Sequence, residues 1–154
     1  MCILSGLFKA KIDSLDQLVK HCTDITTTAQ WIRQHVLYVR DIDNQKVKDY
    51  WQSPEETFAS RSGDCEDMAV LAAYLLKAHK YRAHVIAAST TTKAHAVCAV
   101  LSTQGWWIIS NGNLQKVNEQ FLDNVPNYIY QDWVSAKEYS LEGALLRRIL
   151  KRVK

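Results

Sequence analysis

Glycine and proline are scarce in this chain, with five and two among 154 residues, and no repeat or low-complexity stretch divides it. That excludes collagen-like, linker-rich and solenoid architectures. No apolar run reaches the length of a membrane span. The four cysteines (Cys2, Cys22, Cys65, Cys98) include no CxxC pair, which argues against a zinc site. Excess charge is lacking too: a net charge of +3 implies no nucleic-acid partner by itself. The first eight residues, Met1-Cys2-Ile3-Leu4-Ser5-Gly6-Leu7-Phe8, carry no basic leader and too short an apolar run for a signal peptide. Reduced thiols and a cytoplasmic location are therefore expected.

What is present is ordinary globular composition, 47% hydrophobic and 23% charged, which suits a single domain over residues 1–154 with a sizeable core. Helices are expected over 14–21 and 26–37, the second with Ala29, Ile32 and Val36 on one side. Ser53-Pro54-Glu55-Glu56 is a helix start: Ser53 caps, Pro54 fits the first turn and Glu56 reaches back. After residue 78 the pattern changes to period two, predicting strands over 83–88, 94–101 and 106–110, with further extended chain near 128–130 and 134–139. Helices first and an antiparallel sheet second define an α+β class. The positive charge gathers in Arg147, Arg148, Lys151, Arg152 and Lys154. Residues 141–154 read as a helix packing Leu141, Leu145, Ile149 and Val153, its basic face either solvated or turned to an anionic partner.

The chemistry centres on Gly63-Asp64-Cys65-Glu66-Asp67. Met68, Leu71, Ala72, Leu75 and Leu76 follow at helical spacing, so Cys65 lies in the first turn of an amphipathic helix. Unpaired N–H groups and the positive end of the helix dipole favour a thiolate there. Gly63 is expected to turn the chain through a conformation other residues avoid. A nucleophile needs a base. His21, His35 and His79 sit on helix surfaces or ends, where solvated or capping roles are usual, and His84 begins a strand. His95 opens a strand between small residues, Ala94 and Ala96, which leave its ring approachable. The residue that orients its imidazole lies on the hairpin partner. A three-residue loop with Gly105 left-handed would bring Asn111 and Asn113 to the face of His95; a four-residue loop would bring Ser110. Gly105 favours the first, hence Asn111, with Asn113 and Ser110 as alternates. Cys98 alternates away from His95 and is expected in the core.

Together these blocks resemble the transglutaminase-like cysteine peptidases, of the bacterial transglutaminase-like cysteine proteinase type. The resemblance covers about residues 50–113. It runs from Trp51-Gln52-Ser53-Pro54-Glu55-Glu56-Thr57 into Gly63-Asp64-Cys65-Glu66-Asp67, then Leu71, Leu75 and Leu76, His95-Ala96-Val97, and Gly105-Trp106-Trp107-Ile108-Ile109. It implies a papain/transglutaminase-like core with the nucleophile-bearing helix packed on an antiparallel sheet. It also implies a catalytic Cys65 and His95, a thioester intermediate, and a peptide or protein substrate, with a second oxyanion donor at Trp51 or Gln52. The activity implied is a cysteine peptidase or amidase; acyl transfer to an amine and a catalytically weak binding module are the alternatives. The family's acidic third residue is replaced by Ser110-Asn111. Calcium is bound near this cysteine in some bacterial relatives, which would fall to Asp64 and Glu66 here, although first-turn carboxylates more often cap. No other cofactor is implied.

Overall fold

The computed structural model describes residues 11–40 and 50–151. The readings made above on Met1–Phe8, on Cys2 and on Arg152, Val153 and Lys154 lie outside them. Among the described residues four helices precede the sheet: α1 (Leu15–His21), α2 (Ile25–His35), α3 (Pro54–Ser60) and α4 (Cys65–Ala78). Each begins on a side-chain cap, Ser14, Asp24, Ser53 and Asp64 in turn. The last three are reciprocal capping boxes that satisfy two first-turn N–H groups at once. Between them lie two short parallel strands, β1 (Leu37–Tyr38) and β2 (Ser62–Gly63), with Tyr38 level with Gly63.

The main sheet has six strands: β3 (Arg82–Ser89), β4 (Ala94–Ser102), β5 (Gly105–Ser110), β6 (Asn113–Lys116), β7 (Ser135–Tyr139) and β8 (Leu145–Ile149). Their order is β6-β5-β4-β3-β7-β8, with every neighbouring pair antiparallel. Alternation splits the apolar side chains between two cores. One face turns Val85, Cys98, Val100 and Ile109 toward α4, which lies between the sheet and the other helices. Cys98 is thus the core residue expected. The opposite face turns Ile86, Val97, Ala99, Trp106 and Ile108 under Val117, Val125 and Trp133. A short helix α5 (Pro126–Ile129) belongs to that cover. The class is α+β, with the Cys65-bearing helix packed on an antiparallel sheet as expected.

Several expectations are corrected. The basic C-terminal segment forms no helix between Leu145 and Ile149; it is strand β8. Gly143, at φ 81°, closes a turn in which Ser140 N–H bonds Ala144 O and Gly143 N–H bonds Ser140 O, so the apolar spacing of four cannot continue as a helix. Near Tyr128 the chain is helical, not extended, because Pro126 sits in the first turn of α5 and its fixed φ suits a helix start. Gly63 is extended within β2, and the left-handed residue that turns the chain is Arg61, at φ 55°. Glycine is needed at 63 for space: a Cβ there would stand 2.7 Å from the Asp67 Cβ. Helix α4 also buries more than one face, since Ala69, Val70 and Ala73 are enclosed along with the Leu71 face.

Candidate active site

Cys65 is the first residue of α4, placed by the Asp64 cap and by a polar cluster beneath it. The buried Asp67 carboxylate accepts Gln52 N–H at 2.8 Å, Gln52 Nε2 at 2.9 Å and Asp64 N–H at 3.0 Å. Those three bonds lock the segment before α3, the end of β2 and the start of α4 together. Gln52 Nε2 spends its second hydrogen on Ser62 O at 3.1 Å. Gln52 is therefore a girder of the site with no N–H to spare for an oxyanion, and the alternative donor, Trp51, lines the cleft beside it.

The thiol of Cys65 sits where the sheet opens. The β4–β5 ladder runs from Ser102–Gly105 to Cys98–Ile109. Two residues farther toward the start of β4, the Ala96 N–H faces the Cys65 sulfur and draws its pKa down. His95, the neighbouring residue, is half-buried and holds Ser110 Oγ with its Nε2 at 2.7 Å. The Cys65 thiol on α4 and the His95–Ser110 pair of β4 and β5 thus lie at successive residues of β4, Ala96 and His95. A cleft of about 320 Å³ opens beside them, lined by Trp51, Glu66, His95, Ala96, Lys137 and Tyr139 among others.

Asn111 is not brought to the imidazole. The β4–β5 connection has only Thr103 and Gln104 between the paired Ser102 and Gly105, so Leu101 pairs with Trp106 and Cys98 with Ile109. This register puts Ser110 on the face of His95, the outcome expected of a four-residue loop. Asn111 and Gly112 instead form the two-residue turn of the next hairpin, with φ of 50° and 84° and Ser110 paired to Asn113. Asn-Gly is the preferred sequence for a turn with two left-handed residues, a signal that was legible in the chain but competed with the catalytic reading. Gly112 also passes so close to α2 that a Cβ would stand 2.6 Å from the Arg33 nitrogen. Asn113 is exposed beyond that turn.

Nor is the thiol poised as a thiolate. Its pKa is pushed up to about 12, first by burial, then by the Glu66 carboxylate; the Ala96 N–H works in the opposite direction without overcoming them. The Cys65 thiol donates to Glu66 Oε2 at 3.6 Å. Burial also lowers the His95 pKa below its ordinary 6.5. At neutral pH the resting pair is a thiol and a neutral imidazole. The helix N-terminus alone does not ionise a thiol that is largely buried and faces a carboxylate.

The family model of the transglutaminase-like superfamily matches residues 14–111. The chain belongs to the transglutaminase-like superfamily. No curated protein matches it. Among solved structures, Legionella pneumophila LapG aligns with a TM-score of 0.55 at 19% identity, covering 86% of this chain and 77% of that one. Its calcium-bound form aligns at 0.52 and 19%, covering 87% and 80%. A candidate cysteine protease from Cytophaga hutchinsonii aligns at 0.48 and 21%, covering 72% of this chain. This chain spans only 42% of the Cytophaga protein's length. At these identities the LapG likeness concerns the fold.

LapG has been solved in calcium-bound and EGTA-treated forms. In the present transglutaminase-like domain the donors expected for calcium have other work. Asp64 Oδ1 caps Asp67 N–H at 3.3 Å, Glu66 takes the thiol, and the Asp67 carboxylate takes three N–H groups. No group of three His, Cys, Asp or Glu side chains among the described residues is arranged to hold an ion. Likewise, no helix among the described residues is long and apolar enough to cross a membrane.

Proposed function

We propose that this protein is a thiol-dependent hydrolase of peptide or related amide bonds, built as one transglutaminase-like domain over residues 1–154. The observation that carries the reading is the meeting of the Cys65 sulfur with Ala96 N–H, next to an imidazole whose far nitrogen is held by Ser110 at 2.7 Å. With Nε2 engaged, Nδ1 is the nitrogen that takes the thiol proton as sulfur attacks the substrate carbonyl carbon. The oxyanion is received by the backbone N–H of Cys65, at the N-terminus of α4, and by the Trp51 indole. His95 returns the proton to the leaving amine as the C–N bond breaks, leaving a thioester on Cys65. Water then attacks the thioester, giving its proton to His95, and the C–S bond breaks to release the acid and restore the thiol. No step is routed through calcium. The free thiols Cys22, Cys65 and Cys98 suit a reducing compartment such as the cytoplasm.

A catalytically weak binding module is the second reading, favoured by a hydroxyl where the family has an acid and by a thiol pushed up to about 12. Incubation with a p-nitrophenyl ester of a blocked peptide separates the two. The hydrolase reading expects stoichiometric acylation of Cys65 by intact mass, followed by turnover, both lost in Cys65→Ser. Turnover retained in Cys65→Ser, or no acylation at Cys65, sinks it.

A further inference from the structure

One row of the sheet leads away from the nucleophile and ends in positive charge. Ala96, whose N–H meets the Cys65 sulfur, pairs with Ala87; Ala87 pairs with Lys137; Lys137 pairs with Arg148. Paired residues in antiparallel strands share a face, so these four side chains stand in line on the cleft side. Ala96, Ala87 and Lys137 all line the cleft. Methyl groups make its floor, and the neighbouring row, Ala94, Ser89 and Ser135, is equally small. The result is an open trough across β4 and β3 that meets its first long side chain at Lys137.

Lys137 and Arg148 stand directly opposite one another, an arrangement that destabilises a sheet unless something neutralises it. Among the described residues neither makes a salt bridge, whereas the adjacent Arg147 is bound by both Glu138 and Asp123. Glu66, the acidic group of the cleft, lies at the thiol end. The trough is therefore polarised, negative beside Cys65 and positive at its far end. Strands lie about 4.8 Å apart, so Lys137 is roughly 10 Å from Ala96, about three residues of extended chain.

We propose that Lys137 and Arg148 are specificity-determining residues that select a substrate bearing a carboxylate side chain about three residues from the bond attacked at Cys65. This rests on the thiol-hydrolase reading and adds the substrate class to it: an extended acidic segment laid across β4, β3 and β7. The bound carboxylate completes the cation pair, so the energy released on binding is realised only by acidic chains.

The test uses peptide vinyl sulfones carrying Glu, Gln or Lys three residues from the electrophilic carbon, on either side of it, with Cys65 labelling followed by intact mass at low salt. On one side the Glu probe labels Cys65 about fivefold faster than its Gln twin, with Lys slowest, and the difference shrinks as salt is raised. In the double variant Lys137→Gln/Arg148→Gln the ratio of the Glu to the Gln labelling rate falls to about one. The variant's Tm is equal to or above that of the wild type, since a like-charge pair has been removed. Equal rates for Glu and Gln on both sides overturn the proposal, as does a preference that survives the double substitution. Absence of Cys65 labelling by every probe overturns the thiol reading itself, and this proposal with it.

Discussion

Ser110→Asp tests the weakest joint of the site. A serine hydroxyl both donates and accepts, so its 2.7 Å contact with His95 Nε2 permits either ring tautomer. If the hydroxyl donates, Nδ1 carries the hydrogen and cannot accept the thiol proton. A carboxylate is acceptor-only, fixes Nε2–H, frees Nδ1 as base and stabilises the imidazolium that forms. A charge-assisted hydrogen bond is worth about 1–2 kcal/mol more than a neutral one. At about 1.4 kcal/mol per decade, that corresponds to roughly a five- to thirtyfold gain in the rate of Cys65 acylation. The variant should also raise the His95 pKa, moving the acid limb of the rate profile to higher pH. Asn111→Asp is the matched control, because the hairpin turn holds that residue away from the imidazole, and it should leave the rate within about twofold. A Ser110→Asp enzyme no faster than the wild type, with its acid limb unmoved, refutes the assignment of Ser110. A gain in Asn111→Asp instead would show that the β4–β5 register is wrong.

Two further outcomes concern stability. Asp67→Asn should destabilise the fold by about 2–3 kcal/mol in urea titrations, because the amide nitrogen would face N–H donors where a carboxylate oxygen now accepts them; an unchanged midpoint would deny the cluster its role. Burial pushes the thiols of Cys22, Cys65 and Cys98 from 9.0 up to about 12. Thiols freed by unfolding ionise above about pH 9 while the folded ones stay protonated, so stability is held below that pH and lost as pH rises toward 12. Thermal melts across that window should show Tm falling, and less steeply in Cys98→Ala, referenced to its own neutral-pH value.

The helices were legible because their signals are local. Ser53-Pro54-Glu55-Glu56 and Asp64 through Asp67 cap by hydrogen bonds spanning three residues, and both boxes are formed as the residues imply. Strand existence was equally visible from alternation. What escaped was set by turns. Thr103-Gln104 and Asn111-Gly112 each decide a register, and a one-residue slip exchanged Asn111 for Ser110 beside His95. The segment after Leu141 misled because a spacing of four suits a helix, while Gly143 and pairing with β7 made Leu145–Ile149 a strand. The Lys137–Arg148 pair could not be read from the chain, since it depends on β7 returning beside β3. The thiol's protonation was hidden for a similar reason: the helix dipole is local, but the enclosure that outweighs it is tertiary.

The central claim is that His95 is the base for Cys65. Site-resolved alkylation by iodoacetamide, read by mass spectrometry from pH 4 to 10, tests it directly. The neutral dyad predicts a rate for Cys65 that rises through an acid limb below pH 6.5, where the lowered imidazole pKa lies, and then holds a plateau through neutrality. In His95→Ala that limb and plateau vanish, leaving only the slow rise of an isolated buried thiol. A wild-type profile that rises only at high pH, and is the same in His95→Ala, would contradict the account.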